Sequence, residues 1–126
     1  MKEKACANIE AAKLLNNESF FDSCVSRSYY AVYLFAWYFL LRLKIHPPHA
    51  TKDGRNYWRH DLFPQMLCED KFINPDQMDE WEWLYYLRIR ADYYEEKIEK
   101  ADADESIRLA YQLIVHFQNE ELRADD

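Results

Sequence analysis

Arg88 and Asp92 stand four residues apart in the stretch 84–94, LYYLRIRADYY. In a helix that spacing puts both side chains on one face. A forked guanidinium braced by a carboxylate is a phosphate clamp, and it keeps its charge at any physiological pH. Arg then Asp is the weaker order for helix stability, worth a few tenths of ~1 kcal/mol. The neighbours Trp81, Leu84 and Tyr85 point to partial burial, and desolvating a charge pair rarely gains stability. Two readings stay open: a buried pair that fixes helix register, or a site lining a cleft.

The surrounding pattern predicts the elements that position this pair. Residues 75–100 read as one long helix, opened by Asn74-Pro75-Asp76 with proline at the first helical position. Trp83, Leu87, Ala91, Tyr94 and Ile98 form its apolar stripe. Trp81, Leu84, Arg88 and Asp92 form a second, mixed one. Residues 3–16 predict a first helix facing inward through Ala5, Ile9, Ala12 and Leu15. Residues 19–44 predict a second, apolar nearly all round. It belongs at the bundle centre, or between the core and a partner subunit. Arg27 is the lone cation in its first half, flanked by the small residues Ser26, Ser28 and Ala31. Its alternative reading is an arginine that snorkels to water.

His46-Pro-Pro-His49 stops that helix. Residues 46–57 are expected to be a loop, and 58–68 a short helix with Leu62, Phe63, Met66 and Leu67 inward. His60 falls at the start of that helix, where the dipole disfavours a protonated ring. Asp102 or Asp104 caps a fifth helix, with Ile107, Ala110, Tyr111, Ile114 and Phe117 on its inner face. The polar end, 119–126, is expected to fray.

Composition supports an all-α architecture. One glycine and four prolines leave few turns for repeated strands, and 10 Tyr, 7 Phe and 4 Trp supply a large aromatic core. A length of 126 residues predicts one domain with a single core. Three cysteines, odd in number and without zinc spacing, suggest a reducing cytoplasm, as does the absence of a signal peptide. The apolar run 31–41 is about half of the roughly twenty residues that a membrane span needs. The histidines around Pro47-Pro48 lack a cysteine or carboxylate at ligand spacing, so no metal site is expected.

The net charge of −7 is uneven. Residues 1–94 hold 12 basic and 13 acidic side chains, whereas 95–126 hold 4 and 10. Within 42–60, Arg42, Lys44, Lys52, Arg55 and Arg59 face Asp53 alone. That segment is either a solvated basic loop or a local polyanion contact.

The run Leu87-Arg88-Ile89-Arg90-Ala91-Asp92-Tyr93 resembles the Arg-x-x-Ala-Asp-Tyr signature of one branch of the HEPN domains (higher eukaryotes and prokaryotes nucleotide-binding). Ser26-Arg27-Ser28-Tyr29-Tyr30-Ala31-Val32-Tyr33 is similar to that branch's Arg-x-Tyr-Tyr-Ala-x-Phe segment, with Tyr33 where Phe is common. His60 resembles the single histidine the branch often carries there, and Ala110, Leu113 and Phe117 fit its last helix.

The resemblance implies an up-and-down bundle of about five helices, a homodimer, and pairing with a small nucleotidyltransferase in toxin–antitoxin or phage-defence operons. It implies no cofactor. Ribonuclease members carry Arg followed four to six residues later by His, and two such motifs meet across the dimer to cut RNA without metal. That chemistry needs a cation for the phosphorane-like charge and a base near the 2′-hydroxyl. This chain departs from that pattern: no histidine falls four to seven residues after Arg88 or Arg90. Asp92 can accept a proton, but it cannot act as a cationic acid.

The resemblance thus marks Arg88, Asp92, Tyr93 and His60 as candidate catalytic residues. Arg27, Tyr30, Arg90, Arg55 and Arg59 are candidates for contact with nucleotide or RNA. Three functions follow: an RNA- or nucleotide-targeting effector, a non-catalytic partner of a nucleotidyltransferase, or a structural helical subunit.

Overall fold

In the computed structural model, residues 1–93 and 97–125 are described. They contain five helices: α1 (Lys2–Asn17), α2 (Phe21–Arg42), α3 (Phe63–Glu69), α4 (Pro75–Tyr93) and α5 (Lys100–Ala124). The expected all-α bundle is therefore what forms. One refinement falls in the 46–57 connection, where β1 (His49–Ala50) and β2 (Asn56–Tyr57) pair antiparallel. Gly54 takes the left-handed backbone of their turn, with φ 86°.

The central element is α2, which packs against α1, α4 and α5. Its sequence dictates this, since Tyr29, Ala31, Val32, Phe35, Ala36 and Leu40 are all fully buried and lie on more than one face. Where α2 crosses α5, small side chains allow close approach. Ser106 donates to the Ala103 carbonyl at 2.7 Å, and its oxygen lies 3.2 Å from the Ser28 hydroxyl, which can donate to it.

The inner face of α4 draws on both expected stripes, and Trp83 is the member that does not face inward. Trp83 is 46% exposed, whereas Trp81, Leu84 and Leu87 are fully buried. Trp81 wedges between Phe63 and Phe117, with ring centroids at 5.4 and 6.4 Å. Trp81 takes the inward place because this aromatic slot accepts an indole, leaving Trp83 to stack on Tyr86 at the surface.

Three boundaries also differ from expectation. The helix expected over 75–100 is described through Tyr93, and 97–99 are not helical; Tyr94, from the expected stripe, lies outside the described residues. Ile98 is buried but follows the helix, and pairs with Val25 and Leu87 in a small satellite core. Glu99, rather than Asp102 or Asp104, is the N-cap of α5, with Asp102 closing a reciprocal capping box. The third helix begins at Phe63, so His60 lies in the preceding turn, beyond any helix-dipole effect, and Leu62 is 40% exposed.

The final segment, for which polarity suggested fraying, is helical through Ala124. Glu121 is buried there, where it accepts a 2.5 Å hydrogen bond from Tyr38. Arg42 bonds Asp125 at 2.6 Å. The partners of these polar residues lie about eighty residues away in sequence.

Candidate functional site

Helices α1, α2 and α4 enclose an open cleft of about 870 Å³. Arg88, from α4, lies on its wall with only 12% of its side chain exposed. Its Nε donates to Asp92 Oδ2 at 3.0 Å, and its Nη2 donates to Tyr30 Oη at 2.8 Å. The guanidinium carbon also lies 5.0 Å from the Tyr30 ring centroid and 5.5 Å from that of Tyr29. From α2, Ser26 donates to the second Asp92 oxygen at 2.7 Å. Asp92 is thus held on both oxygens, and Arg88 is fixed by an acid and a phenol at once. The helical spacing of Arg88 and Asp92 produces the expected pair, and Tyr30 joins it from the facing helix.

Arg27 lines the same cleft from α2. Its Nη1 donates to Asn8 Oδ1 at 3.1 Å. Asn8 is 7% exposed, and its amide in turn donates to the Lys4 carbonyl at 2.8 Å. Lys4 is itself on the cleft wall. Sequence reading missed Asn8. Its signal was there: it falls in phase with Ala5, Ile9 and Ala12, a polar side chain on the buried face of α1.

His60 sits one layer behind the cleft and does not line it. Its Nδ1 is 2.6 Å from Tyr29 Oη, and its ring stacks on Tyr33 at 4.2 Å. Burial, with the Arg88 charge adding to it, lowers its pKa to about 4 against a smaller opposing effect of Asp61. Burial also raises the Tyr29 pKa well above a phenol's usual range. The pair is satisfied when the phenol donates to a neutral imidazole. Tyr33, pushed up to about 12 chiefly by burial, donates to the Trp58 carbonyl at 2.6 Å. Both His60 and Arg88 thus border the Tyr29–Tyr30 layer, one behind it and one in front.

The remaining sequence-predicted residues do not line this cleft. Tyr93 is 71% exposed at the end of α4. Arg90 lies over the Tyr86 ring, its guanidinium carbon 5.8 Å from the centroid. Arg55 pairs with Asp53 in the β1–β2 turn, and Arg59 makes a two-pronged bond to Asp61 at 3.1 and 2.8 Å. The basic 42–60 segment is thus partly neutralised by local carboxylates. Among the described residues no cluster of His, Cys, Asp or Glu is arranged to hold a metal ion.

The second and fourth helices of this five-helix bundle thus join through Tyr30, Arg88, Asp92 and Ser26. The HEPN domain model matches residues 1–120, and the chain belongs to that family. Comparison with curated proteins returns no match. Family membership ties the chain to nucleotide- or RNA-related function in general. Among the described residues no helix is long and apolar enough to cross a membrane.

Proposed function

We propose that this chain belongs to the HEPN branch with the Arg-x-x-Ala-Asp-Tyr signature and binds RNA or nucleotide phosphate in its cleft. It acts in the cytoplasm as the effector or toxin half of a toxin–antitoxin or phage-defence pair whose other member is a small nucleotidyltransferase. The observation that carries this reading is the braced Arg88. Asp92 and Tyr30 fix its Nε and Nη2 in a cleft walled also by Arg27 and Lys4. A preorganised guanidinium loses little freedom on meeting a phosphate and keeps its charge there. A purely structural role leaves Arg27, which has no carboxylate partner among the described residues, without an account.

The chain acts as a homodimer in this reading. The outer face of α4 exposes Trp83 and Tyr86, stacked at 5.3 Å, together with Tyr93. A two-fold contact uses one such patch twice. Solution scattering at micromolar concentration checks this, and a monomer there counts against it.

Binding without cleavage suits the cleft best, because among the described residues no imidazole lines it. A second reading, a metal-independent ribonuclease, draws on the neutral His60 behind Tyr29, one ring away from Arg88. The deciding experiment pairs two assays on the wild type and on Arg88→Ala. Titration with 5′-phosphorylated oligoribonucleotides and nucleotides should show binding that the variant loses. Incubation with RNA in EDTA reports cleavage, which must vanish in His60→Ala if the ribonuclease reading holds. Failure of the wild type to bind any of these ligands overturns the proposal.

A further inference from the structure

Apart from Arg90, which lies over the Tyr86 ring, the arginines of this chain fall into two groups. Arg42, Arg55, Arg59, Arg88, Arg108 and Arg123 each form an ion pair with a carboxylate. Arg27 does not. Its Nη1 is held instead by the neutral amide of Asn8, and among the described residues it has no carboxylate partner. Asn8 is 7% exposed and anchored by its own bond to the Lys4 carbonyl. An amide oxygen orients a guanidinium without cancelling its charge, whereas an aspartate would do both. Burying an amide is costly unless its hydrogen bonds are made, and both of these serve to brace one wall of the cleft.

We infer that Asn8, Arg27 and Lys4 form a second anion subsite, on the α1–α2 wall of the cleft that carries Arg88 on α4. Each subsite then takes one phosphate, so the ligand carries at least two. This inference rests on the proposed phosphate-binding role of the cleft and narrows it. A nucleoside monophosphate fills the Arg88 subsite alone. A nucleoside diphosphate offers two adjacent phosphates and a 5′-phosphorylated dinucleotide offers two set further apart, so the pair samples two spans between the subsites. Asn8 is a positioning residue here, acting through the guanidinium of Arg27.

The test is a calorimetric titration of the full-length chain with three probes: AMP, ADP and the 5′-phosphorylated dinucleotide pApA. Wild type should bind at least one two-phosphate probe more tightly than AMP, and whichever of ADP and pApA binds better identifies the source of the second phosphate. Asn8→Asp supplies a carboxylate partner for Arg27, and it should weaken that probe roughly tenfold while leaving AMP affinity within about twofold. Asn8→Ala should move in the same direction by less. Arg88→Ala should weaken all three probes.

Circular dichroism melting confirms that each variant is folded, and the Asp variant, which keeps the side-chain size, secures the test if the Ala variant does not fold. Equal affinity of the Asp variant and wild type for the two-phosphate probes overturns the second subsite while leaving the phosphate-binding role of Arg88 intact. So does equal wild-type affinity for all three probes. Absence of binding to all three overturns both.

Discussion

Tyr29 and His60 meet across a 2.6 Å hydrogen bond, with the phenol fully buried and the imidazole sandwiched against Tyr33. Both groups are driven toward their neutral forms, mainly by burial. The folded pKa of His60, about 4, lies below the ordinary value of 6.5. Between those values the unfolded chain binds the extra proton, so stability is complete above about pH 6.5 and is lost as pH falls toward 4. His60 is partly solvated, and after allowance for screening the loss is about 1 kcal/mol. Melting curves at pH 7 and pH 4.5 check this. The wild type should lose a few degrees more than His60→Gln, which cannot take up the proton. An equal loss in both proteins would show that His60 is not held neutral.

The two tryptophans of α4 separate two views of that helix. Leu84, from the stripe of Trp81, is fully buried, and Trp83 is 46% exposed. Leu84→Ala should cost about 2–4 kcal/mol through lost burial and the cavity left behind. Trp83→Ala should cost under about 1 kcal/mol in the isolated chain. Urea unfolding midpoints at unchanged slope measure both. A larger cost for Trp83 than for Leu84 would return Trp83 to the inner face that periodicity alone suggested.

Periodicity identified α1, α2, α4 and α5, because each helix repeats its apolar residues over several turns. It failed where two faces of α4 carried similar hydrophobicity. The choice between Trp81 and Trp83 depends on the slot between Phe63 and Phe117, which lie on other helices. In the site, Arg88 and Asp92 were legible because they share a face at local spacing. Tyr30 was legible only through the family motif. Asn8 is a single amide on a helix whose partner, Arg27, is nineteen residues away. Tyr93 and Arg90 lie within the motif, but neither lines the cleft, which receives Arg88, Ala91 and Asp92 from α4.

The C-terminal turns of α5 are held from a distance. Glu121 accepts from Tyr38 at 2.5 Å and lies 3.7 Å from Arg42. A chain ended after residue 119 should therefore lose about 1–3 kcal/mol, near the value of a buried charge-assisted hydrogen bond. Glu121→Gln keeps an acceptor for Tyr38 and should lose less than Glu121→Ala. Thermal melting ranks the three, and no difference between truncated and full chains would place these turns outside the folded unit.

The sharpest prediction concerns the pair at the cleft. If Arg88 served only to fix helix register, its removal would leave a buried, uncompensated carboxylate, at a cost of roughly 3–5 kcal/mol. The geometry argues otherwise. Asp92 has 32% of its side chain exposed and keeps the 2.7 Å bond from Ser26 when Arg88 is gone. Arg88→Ala should thus cost only about 1–2 kcal/mol, including the lost contacts with the Tyr29 and Tyr30 rings, while phosphate binding disappears. Asp92→Asn keeps an oxygen for the guanidinium and removes its charge complement, so binding should weaken by about three- to tenfold. Melting and ligand titration, run on the same preparations, decide the matter. A melting point lowered enough to account for all of the lost binding would assign Arg88 to the core and remove it from the site.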